Sequence, residues 1–308
     1  MRTTDILIIG GGAAGLAAAL GAKERGASVL VIEREARPGG ILNQCIHHGF
    51  GLGYFGEDLT GPEYAARMIS LTERAGVECL TDTSVVSLNA DRTAVISSPN
   101  GIEKIAFSRC ILASGCRERS IGALNVGGTR PAGVFTAGAA QKLMNVGHYR
   151  IGNAAVILGS GDMGQIVGRR LILRSCRVIA MVEKEAECGG LARNRRECVE
   201  KYGIPVITRA TVDELHGEGR LCGVTVRHLD SGQREFVACD TLITAVGLIP
   251  ERELALPLMA GESAPEWLRL AGNCSHVHDF ADAAGREGQR IGQELAEELK
   301  AERKGQRL

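Results

Sequence analysis

A glycine-rich turn between an apolar strand and a small-residue helix constrains the fold more than any other feature of this sequence. Gly10, Gly12 and Gly15 have the spacing GxGxxG directly after the apolar residues 6–9, and Glu33 ends the next apolar run. In such a turn the first glycine permits the tight bend, the second lets a pyrophosphate approach the backbone, and the third lets helix and strand pack closely. The pyrophosphate then faces the positive helix N-terminus, and the acid reaches a ribose hydroxyl. These residues predict a βαβ unit that binds a dinucleotide.

The same arrangement recurs in the second half of the chain. Gly159, Gly161 and Gly164 repeat the spacing after the apolar residues 155–158, and Glu183 ends the following strand. A carboxylate at this position accepts hydrogen bonds from both ribose hydroxyls and repels a 2′-phosphate, so we expect a preference for NADH over NADPH. Two dinucleotide sites in one chain suggest a bound flavin and a diffusible nicotinamide, which form a redox pair.

Each half also has strands that complete such a unit. The β-rich runs 83–97, 104–107 and 221–237 are separated or interrupted by turn residues, which predicts a small antiparallel insertion in each half. The apolar runs 109–114 and 241–246 end in glycine, and residues 279–304 have the apolar spacing of an amphipathic helix. The predicted fold class is α/β, with two Rossmann-like dinucleotide-binding domains.

The order of these elements suggests how the chain is divided. Residues 248–308 have no βαβ start of their own and most simply return to complete the first domain. We therefore expect a first dinucleotide-binding domain from 1–117 and 248–308, a linker from 118–149, and a second dinucleotide-binding domain from 150–247.

Charge and cysteine spacing exclude several classes of function. Lys plus Arg and Asp plus Glu both number 36, which gives no net charge to attract nucleic acid or an anionic membrane. The ten cysteines contain no CxxC, so we expect reduced thiols in the cytoplasm and no metal site. We expect no membrane insertion, because no run is long enough to cross a bilayer without interruption.

Motifs along nearly the whole chain resemble one family. They are IIGGGAAGLAAA near the start, ILASG at 111–115, ILGSGDMG at 157–164, AVGLIP at 245–250 and AGN at 271–273. The chain is identified on these motifs as a member of the pyridine nucleotide-disulfide oxidoreductases, with the compact layout of thioredoxin reductases. The resemblance implies FAD on the N-terminal fingerprint and NAD(P)H on the internal one.

A narrower resemblance concerns the segments GGILNQCIHHGFGLGYFGEDLTGPEYAARM, SGCRERS and RPAGVFTAGAAQKLMN. They are similar to a bacterial group of FAD-dependent oxidoreductases, whose relatives are found alongside glycerol-3-phosphate, amino-acid and opine dehydrogenase subunits. This resemblance implies a flavoprotein module and does not specify a substrate.

Three departures from the family stand out. Where its disulfide reductases have a cysteine pair after Gly39-Gly40, this chain has Leu42 and His47, with Cys45 alone between them. The aspartate that binds the flavin ribitol is replaced by Asn273, and the stretch 250–271 is short, which leaves little room for the sheet elements expected there. We therefore expect no dithiol chemistry.

The fingerprints and the resemblance together imply the residues of the two binding sites. For FAD these are Gly10, Gly12, Ala13, Ala14, Gly15, Glu33, Arg34, Gly40, Val85, Ala113, Gly115, Asn273, Phe280 and Ala281. For NAD(H) they are Gly159, Ser160, Gly161, Asp162, Met163, Gly164, Glu183, Val246 and Gly247.

Three further residues are candidates for catalysis. Cys45 is either a redox thiol beside the flavin or a small buried side chain, and the second reading is favoured because free cysteines are usually buried. His47 is either a proton carrier or a polar loop residue. His278, with His276, follows the AGN motif and would lie near the flavin, whereas two histidines without further ligands do not predict a metal site.

Two functions remain open, with a third less favoured. The chain is an oxidoreductase that transfers hydride between NAD(H) and FAD and exchanges electrons with a small molecule, or it is the flavin subunit of a dehydrogenase complex. A non-enzymatic redox sensor is the third reading. We expect a homo-oligomer or a hetero-complex.

Overall fold

The structure is a computed structural model and describes residues 1–259 and 263–305. The strands are β1 (Arg2–Ile9), β2 (Val29–Ile32), β3 (His48–Phe50), β4 (Leu59–Thr60), β5 (Glu78–Leu80), β6 (Ser84–Asn89), β7 (Thr93–Ser98), β8 (Gly101–Leu112), β9 (Cys116–Glu118), β10 (Gly127–Gly128), β11 (Val134–Thr136), β12 (Ala154–Leu158), β13 (Arg177–Val182), β14 (Val206–Ile207), β15 (Ala210–His216), β16 (Gly223–His228), β17 (Arg234–Ala238), β18 (Thr241–Thr244), β19 (Leu248–Pro250) and β20 (Leu268–Leu270). The α-helices are α1 (Ala13–Glu24), α2 (Gly61–Arg74), α3 (Ala137–Gln141), α4 (Asp162–Leu173), α5 (Ala192–Asn194) and α6 (Ala281–Gly305). Short 3-10 segments are Gly40–Gln44, Ile121–Ala123, Glu200–Tyr202, Leu256–Leu258 and Gly272–Cys274, and π-helical segments are Lys142–Val146 and Arg195–Val199.

The chain divides into two compact units. Unit 1 comprises Met1–Arg117 and Ile249–Leu308, and unit 2 comprises Glu118–Leu248. Each is a Rossmann-like α/β unit with its own apolar cores. The C-terminal segment belongs to the same unit as the N-terminal fingerprint. Which nucleotide each unit binds stays a prediction at this point.

The sheet of unit 1 has a parallel part and an antiparallel edge. Strands β5, β2, β1 and β8 are adjacent and parallel, β20 pairs in parallel with the end of β8, and β7 and β6 add antiparallel strands. Where the sequence predicts two runs, 104–107 and 109–114, β8 is continuous. Its interior residue Arg109 is buried, and the guanidinium pairs with Glu302 of α6, which compensates the charge within the strand.

Helix α1 is rich in alanine because it touches α6 at close range. A Cβ on Gly288 or Gly292 of α6 would collide with the carbonyl oxygens of Ala14 and Ala18 on α1, and one on Gly21 would collide with that of Gln289. Only small residues permit this approach, so the small-residue helix of the fingerprint also packs unit 1.

Unit 2 contains two sheets. Strands β11, β18, β12, β13 and β14 are parallel, and β10, β15, β16 and β17 form a separate sheet whose last three strands are antiparallel. The stretch 118–149, predicted as a linker, lies within unit 2. It supplies the edge strand β11 and helix α3, which its short, glycine-interrupted sequence did not indicate.

The short stretch 250–271 retains a sheet element. Strand β20 pairs with β8 at Leu268–Cys110, and Trp267 packs against Phe107 with ring centroids 5.5 Å apart. Part of this stretch, 260–262, lies outside the described residues. Among the helices of the described ranges, none combines the length and apolarity needed to cross a membrane.

Candidate functional site

The turn between β1 and α1 has the shape that its glycines predict. Gly10 has φ +108°, and a Cβ there would collide with the carbonyl oxygen of Ala113 at the end of β8. A Cβ on Gly15 would collide with the carbonyl oxygen of Gly10. Gly12, in contrast, has an ordinary extended backbone, and no atom lies within 4 Å of where its Cβ would be. The fold requires the outer two glycines, whereas the middle one leaves open space at the start of α1.

The turn between β12 and α4 in unit 2 repeats this geometry. Gly159 has φ +99°, and a Cβ there would collide with the carbonyl oxygen of Ala245. A Cβ on Gly164 would collide with the carbonyl oxygen of Gly159. Gly161 has open space around its missing Cβ. An open cradle at the equivalent glycine of both turns fits a bound pyrophosphate, because backbone N–H groups at a helix N-terminus bind phosphate.

Helices α2 and α3 begin differently. The side chain of Thr60 accepts a hydrogen bond from Glu63 N–H at the start of α2, in a complete capping box, and Thr136 caps α3 in a similar way. Helices α1 and α4 have Gly12 and Gly161 at the N-cap, which offer no side chain to the first turn. The first-turn N–H groups of these two helices are therefore left for another acceptor.

Both predicted acids are buried next to their turns. Glu33 Oε2 accepts a hydrogen bond from Gly11 N–H at 2.7 Å, and its Oε1 accepts one from Glu35 N–H at 2.9 Å. Glu183 Oε2 accepts from Ser160 N–H at 2.9 Å and from Ser160 Oγ at 2.6 Å. A carboxylate has about four lone-pair sites, so both acids can also accept ribose hydroxyls.

The charge of Glu183 is stabilised by its surroundings. Burial alone would raise the pKa of this carboxyl, but hydrogen bonds from Ser160, together with the backbone N–H of Glu185, outweigh burial and hold the pKa below its usual value. Glu183 is therefore ionised at neutral pH, as repulsion of a 2′-phosphate requires.

Several other predicted FAD residues gather around the first turn. Gly40 has φ +54°, and its Cβ would lie 3.2 Å from the Cα of Gly12. Thr83 N–H donates to the carbonyl oxygen of Glu33 at 3.0 Å, which brings the segment before Val85 beside this acid. The 3-10 segment Gly272–Cys274, which contains Asn273, reaches α1, because a Cβ on Gly272 would lie 2.7 Å from that of Ala14.

The remaining predicted FAD residues lie further out. Arg34 is exposed and pairs with Glu251 at 3.7 Å, and Gly115 accepts a hydrogen bond from Glu251 N–H at 3.0 Å. Phe280 is 55% exposed, next to Ala281, the first residue of α6. Its assignment to the FAD site rests on the resemblance.

In unit 2 the turn is closed by a loop that sequence reasoning did not assign. Gly189 N–H donates to Ser160 Oγ at 2.9 Å, and Asp162 Oδ1 accepts from Leu191 N–H at 2.8 Å. Among the predicted residues, Met163 is half-buried against the apolar core, and its part in NAD(H) binding stays a prediction. Val246 and Gly247 follow β18, at the same end of the sheet as the turn.

Cys45 is buried, and His47 is half-buried in a loop. Cys45 is 6% exposed, and burial raises the pKa of its thiol to about 12, so it is protonated at neutral pH. These surroundings favour the small buried side chain over the redox thiol, and a catalytic role of Cys45 stays a prediction. His47 packs against Phe50 with ring centroids 5.1 Å apart, and its Nδ1 lies 2.9 Å from the carbonyl oxygen of His48, as in a polar loop.

His278 has a more elaborate environment. Its backbone N–H and its Nδ1 lie 3.0 and 3.3 Å from Asn273 Oδ1, and its Nε2 lies 3.4 Å from Glu287 Oε2. Glu287 Oε2 also accepts a hydrogen bond from Gly272 N–H at 2.6 Å. Sequence reasoning missed Glu287, because no local motif connects this residue of α6 with the AGN segment. The side-chain oxygen of Asn273 is thus already bonded within the protein.

With this geometry established, the chain was compared with known proteins. The model of the family described as "Pyridine nucleotide-disulphide oxidoreductase" matches residues 4–264. The chain is 28% identical to hydrogen cyanide synthase subunit HcnB of Pseudomonas aeruginosa, over 92% of this chain and 67% of that protein. It is 29% identical to sarcosine oxidase subunit alpha of Corynebacterium sp. (strain P-1), over 80% of this chain. That match covers only 26% of the sarcosine oxidase subunit, so the chain corresponds to one part of it.

Solved structures show the same fold. A thioredoxin reductase of T. acidophilum superposes with a TM-score of 0.80, over 97% of this chain and 99% of that chain, at 19% sequence identity. At this identity the likeness establishes the two-domain Rossmann-type architecture and leaves the activity open.

Proposed function

Because the chain belongs to the pyridine nucleotide-disulphide oxidoreductase family, we propose that it is an FAD-dependent oxidoreductase that exchanges hydride with NAD(H). The family and the relatives imply a flavin and a pyridine nucleotide. When bound, these cofactors supply the hydride chemistry. The observation that carries the proposal is the pair of glycine turns, each with an uncapped helix, an open middle glycine and a buried acid.

We assign FAD to unit 1. Here two separate segments of the chain lie against the turn, Gly40 against Gly12 and Gly272 against Ala14, whereas in unit 2 a single loop, 189–191, closes the turn. Such enclosure suits a cofactor that remains bound, because it excludes water from the turn. In this assignment α1 holds the pyrophosphate through backbone N–H groups, and Glu33 orients the adenosine ribose.

We assign NAD(H) to unit 2. The ionised Glu183 would accept hydrogen bonds from the ribose and would face a 2′-phosphate with like charge, which favours NADH over NADPH. Ser160 holds this carboxylate through two hydrogen bonds. Val246 and Gly247, which follow β18, would then lie near the nicotinamide half of the cofactor.

We propose that the electrons leave by a route other than a dithiol. The sequence has no CxxC, and Cys45 is buried with a raised pKa. We propose a small molecule or a redox partner subunit as the other substrate. We place the protein in the cytoplasm, as a homo-oligomer or a hetero-complex.

A second candidate is the flavin subunit of a dehydrogenase complex. Its support is that relatives are themselves named as subunits, of hydrogen cyanide synthase and of sarcosine oxidase. In that case the substrate is oxidised on a partner chain, and an amine or an amino acid is the first class to test.

The test is anaerobic stopped-flow of the purified full chain. We expect FAD, released by heat and identified by chromatography, at about one per chain. We expect NADH to bleach the flavin faster than NADPH. A chain that takes up no flavin on incubation with FAD would overturn the proposal.

The two candidates are separated by native purification from the source cell. A flavoprotein or iron–sulfur chain that co-elutes at constant stoichiometry, and that is needed for turnover of an amine or hydroxy acid, would favour the subunit. Full turnover by the isolated chain would favour the independent enzyme.

A further inference from the structure

Three metal-ligating groups come together where the AGN segment meets α6. They are His276, His278 and Glu287, whose ligand atoms all lie within 4.8 Å of one another. His278 Nε2 lies 3.4 Å from Glu287 Oε2, and His276 Nδ1 lies 3.9 Å from Glu287 Oε1. Ligand atoms at about 2.0–2.1 Å from a tetrahedral Zn²⁺ are about 3.3 Å apart. The three side chains are thus within small movements of binding one ion.

The hydrogen bonds fix which nitrogen of His278 is available. Asn273 Oδ1 accepts from the backbone N–H of His278, which identifies this atom as the amide oxygen. The same oxygen lies 3.3 Å from His278 Nδ1, so Nδ1 carries the proton in this contact. The lone pair of the neutral ring is then on Nε2, directed at Glu287.

His278 and Glu287 are both hydrogen-bonded to neighbouring groups, as metal ligands usually are. Metal-binding histidines donate their second N–H to an oxygen, as His278 does to Asn273, and ligating carboxylates are hydrogen-bonded in turn. Glu287 Oε2 accepts from Gly272 N–H at 2.6 Å, which fixes its orientation. His278 and Glu287 are therefore held in place before any ion binds.

The two histidine rings are close together, with centroids 4.1 Å apart, and both approach the carboxylate of Glu287. One divalent ion can therefore bind a nitrogen of each ring and an oxygen of the carboxylate.

We propose that His276, His278 and Glu287 bind a divalent cation of the Zn²⁺ class. The set of two histidines and one glutamate resembles open rather than closed zinc sites, because a fourth position remains for water or an anionic oxygen. His276 is 62% exposed at its side chain, which gives an ion access from solvent. This inference does not depend on the flavin or the nicotinamide, and neither is needed to test it.

The test is equilibrium dialysis of the full chain, expressed without a polyhistidine tag and treated with a chelator, against ZnCl₂. Metal is measured by inductively coupled plasma mass spectrometry and flavin by absorbance on the same samples. We expect about one Zn²⁺ per chain. We expect His276→Ala to weaken binding by more than the about 10–100-fold that the loss of an outer partner causes. Its far-UV circular dichroism spectrum should match that of the wild type, as expected of a folded chain.

Two further variants make the result specific. Glu287→Gln keeps an oxygen that can accept a hydrogen bond from Gly272 N–H but removes the negative charge. We expect this variant also to bind Zn²⁺ more weakly than the wild type. His228→Ala is the matched control, because His228 lies 3.9 Å from Glu235 in unit 2 without a third ligand. It should bind Zn²⁺ as the wild type does.

The ligand atoms can be checked directly by NMR of ¹⁵N-histidine. Zn²⁺ should shift Nε2 of His278 and Nδ1 of His276, with His278 Nδ1 still protonated. No stoichiometric Zn²⁺ in the wild type, or full binding by His276→Ala, would overturn the proposal. Binding lost equally in His228→Ala would also overturn it.

Discussion

Glu33 of unit 1 accepts a hydrogen bond from the backbone N–H of Gly11, the second residue of its own glycine turn. Glu183 of unit 2 makes the equivalent bond to Ser160 N–H. In both units the acid and the turn are therefore one rigid assembly, formed by two parallel strands and the start of a helix. A ribose and a pyrophosphate bound there would meet groups that are already in position.

The middle glycines give the most direct test of which unit binds which nucleotide. Gly12→Val and Gly161→Val both place a side chain in open space on an ordinary backbone, so both variants should fold. The added side chain would occupy the space expected for the pyrophosphate. We expect it to weaken nucleotide binding by about 1–3 kcal/mol or more, which is about 10–100-fold in affinity. We expect Gly12→Val to lose FAD and to keep NADH binding.

For Gly161→Val we expect the opposite: full flavin content, with a raised dissociation constant for NADH by isothermal titration calorimetry. The control is Gly10→Val, which should fail to fold because Gly10 has φ +108° and touches Ala113. If Gly161→Val lost flavin and Gly12→Val did not, the assignment of the two sites would be reversed.

Most of this assembly could be predicted because its determinants are local. The spacing of Gly10, Gly12 and Gly15 and the position of Glu33 follow from one βαβ unit, in which two strands flank one turn and one helix. Glu287 could not be predicted, since no sequence pattern places Gly272 and His278, which precede α6, against the second turn of that helix.

The assignment of 118–149 failed for the same reason. Strand β11 is three residues long, and its partner β18 lies far along the sequence, at Thr241–Thr244. A short edge strand has too few residues for a periodic signal, so its place in the sheet depends on pairing that sequence patterns do not report.

Glu183 should determine the choice between NADH and NADPH. Glu183→Gln retains an oxygen for Ser160 but removes the charge that would repel a 2′-phosphate. Because a like-charge contact in a partly buried site costs several kcal/mol, we expect the preference for NADH to narrow by about tenfold or more. The measurement is kcat/KM for both nucleotides. Equal kcat/KM for NADH and NADPH in the wild type would contradict this role of Glu183.

Asp282 should hold the loop after β3 against α6. Its Oδ1 and Oδ2 accept from Gly51 N–H and Gly53 N–H, at 2.9 and 2.8 Å. In Asp282→Asn the amide would face one of these donors with an N–H₂ group, so we expect a loss of about 1–3 kcal/mol in the free energy of unfolding. Amide exchange at both glycines should rise.

The control for this substitution is Asp279→Asn, an exposed residue just before the same helix. It should change neither the denaturation midpoint nor exchange in the loop. If both variants behaved alike, the effect would belong to charge at the start of α6 and not to the two hydrogen bonds.

Cys45 should take no part in electron transfer. Since burial raises the pKa of its thiol to about 12, the thiol stays protonated at any pH below that value, and a thiolate next to the flavin is not expected at pH 7–9. Anaerobic titration with dithionite should consume about two electrons per FAD, without a charge-transfer band. Cys45→Ala should give the same stoichiometry and the same spectrum, with Cys116→Ser as the companion variant. About four electrons per FAD in the wild type, falling to about two in either variant, would instead show a redox-active thiol pair and return the chain to disulfide chemistry.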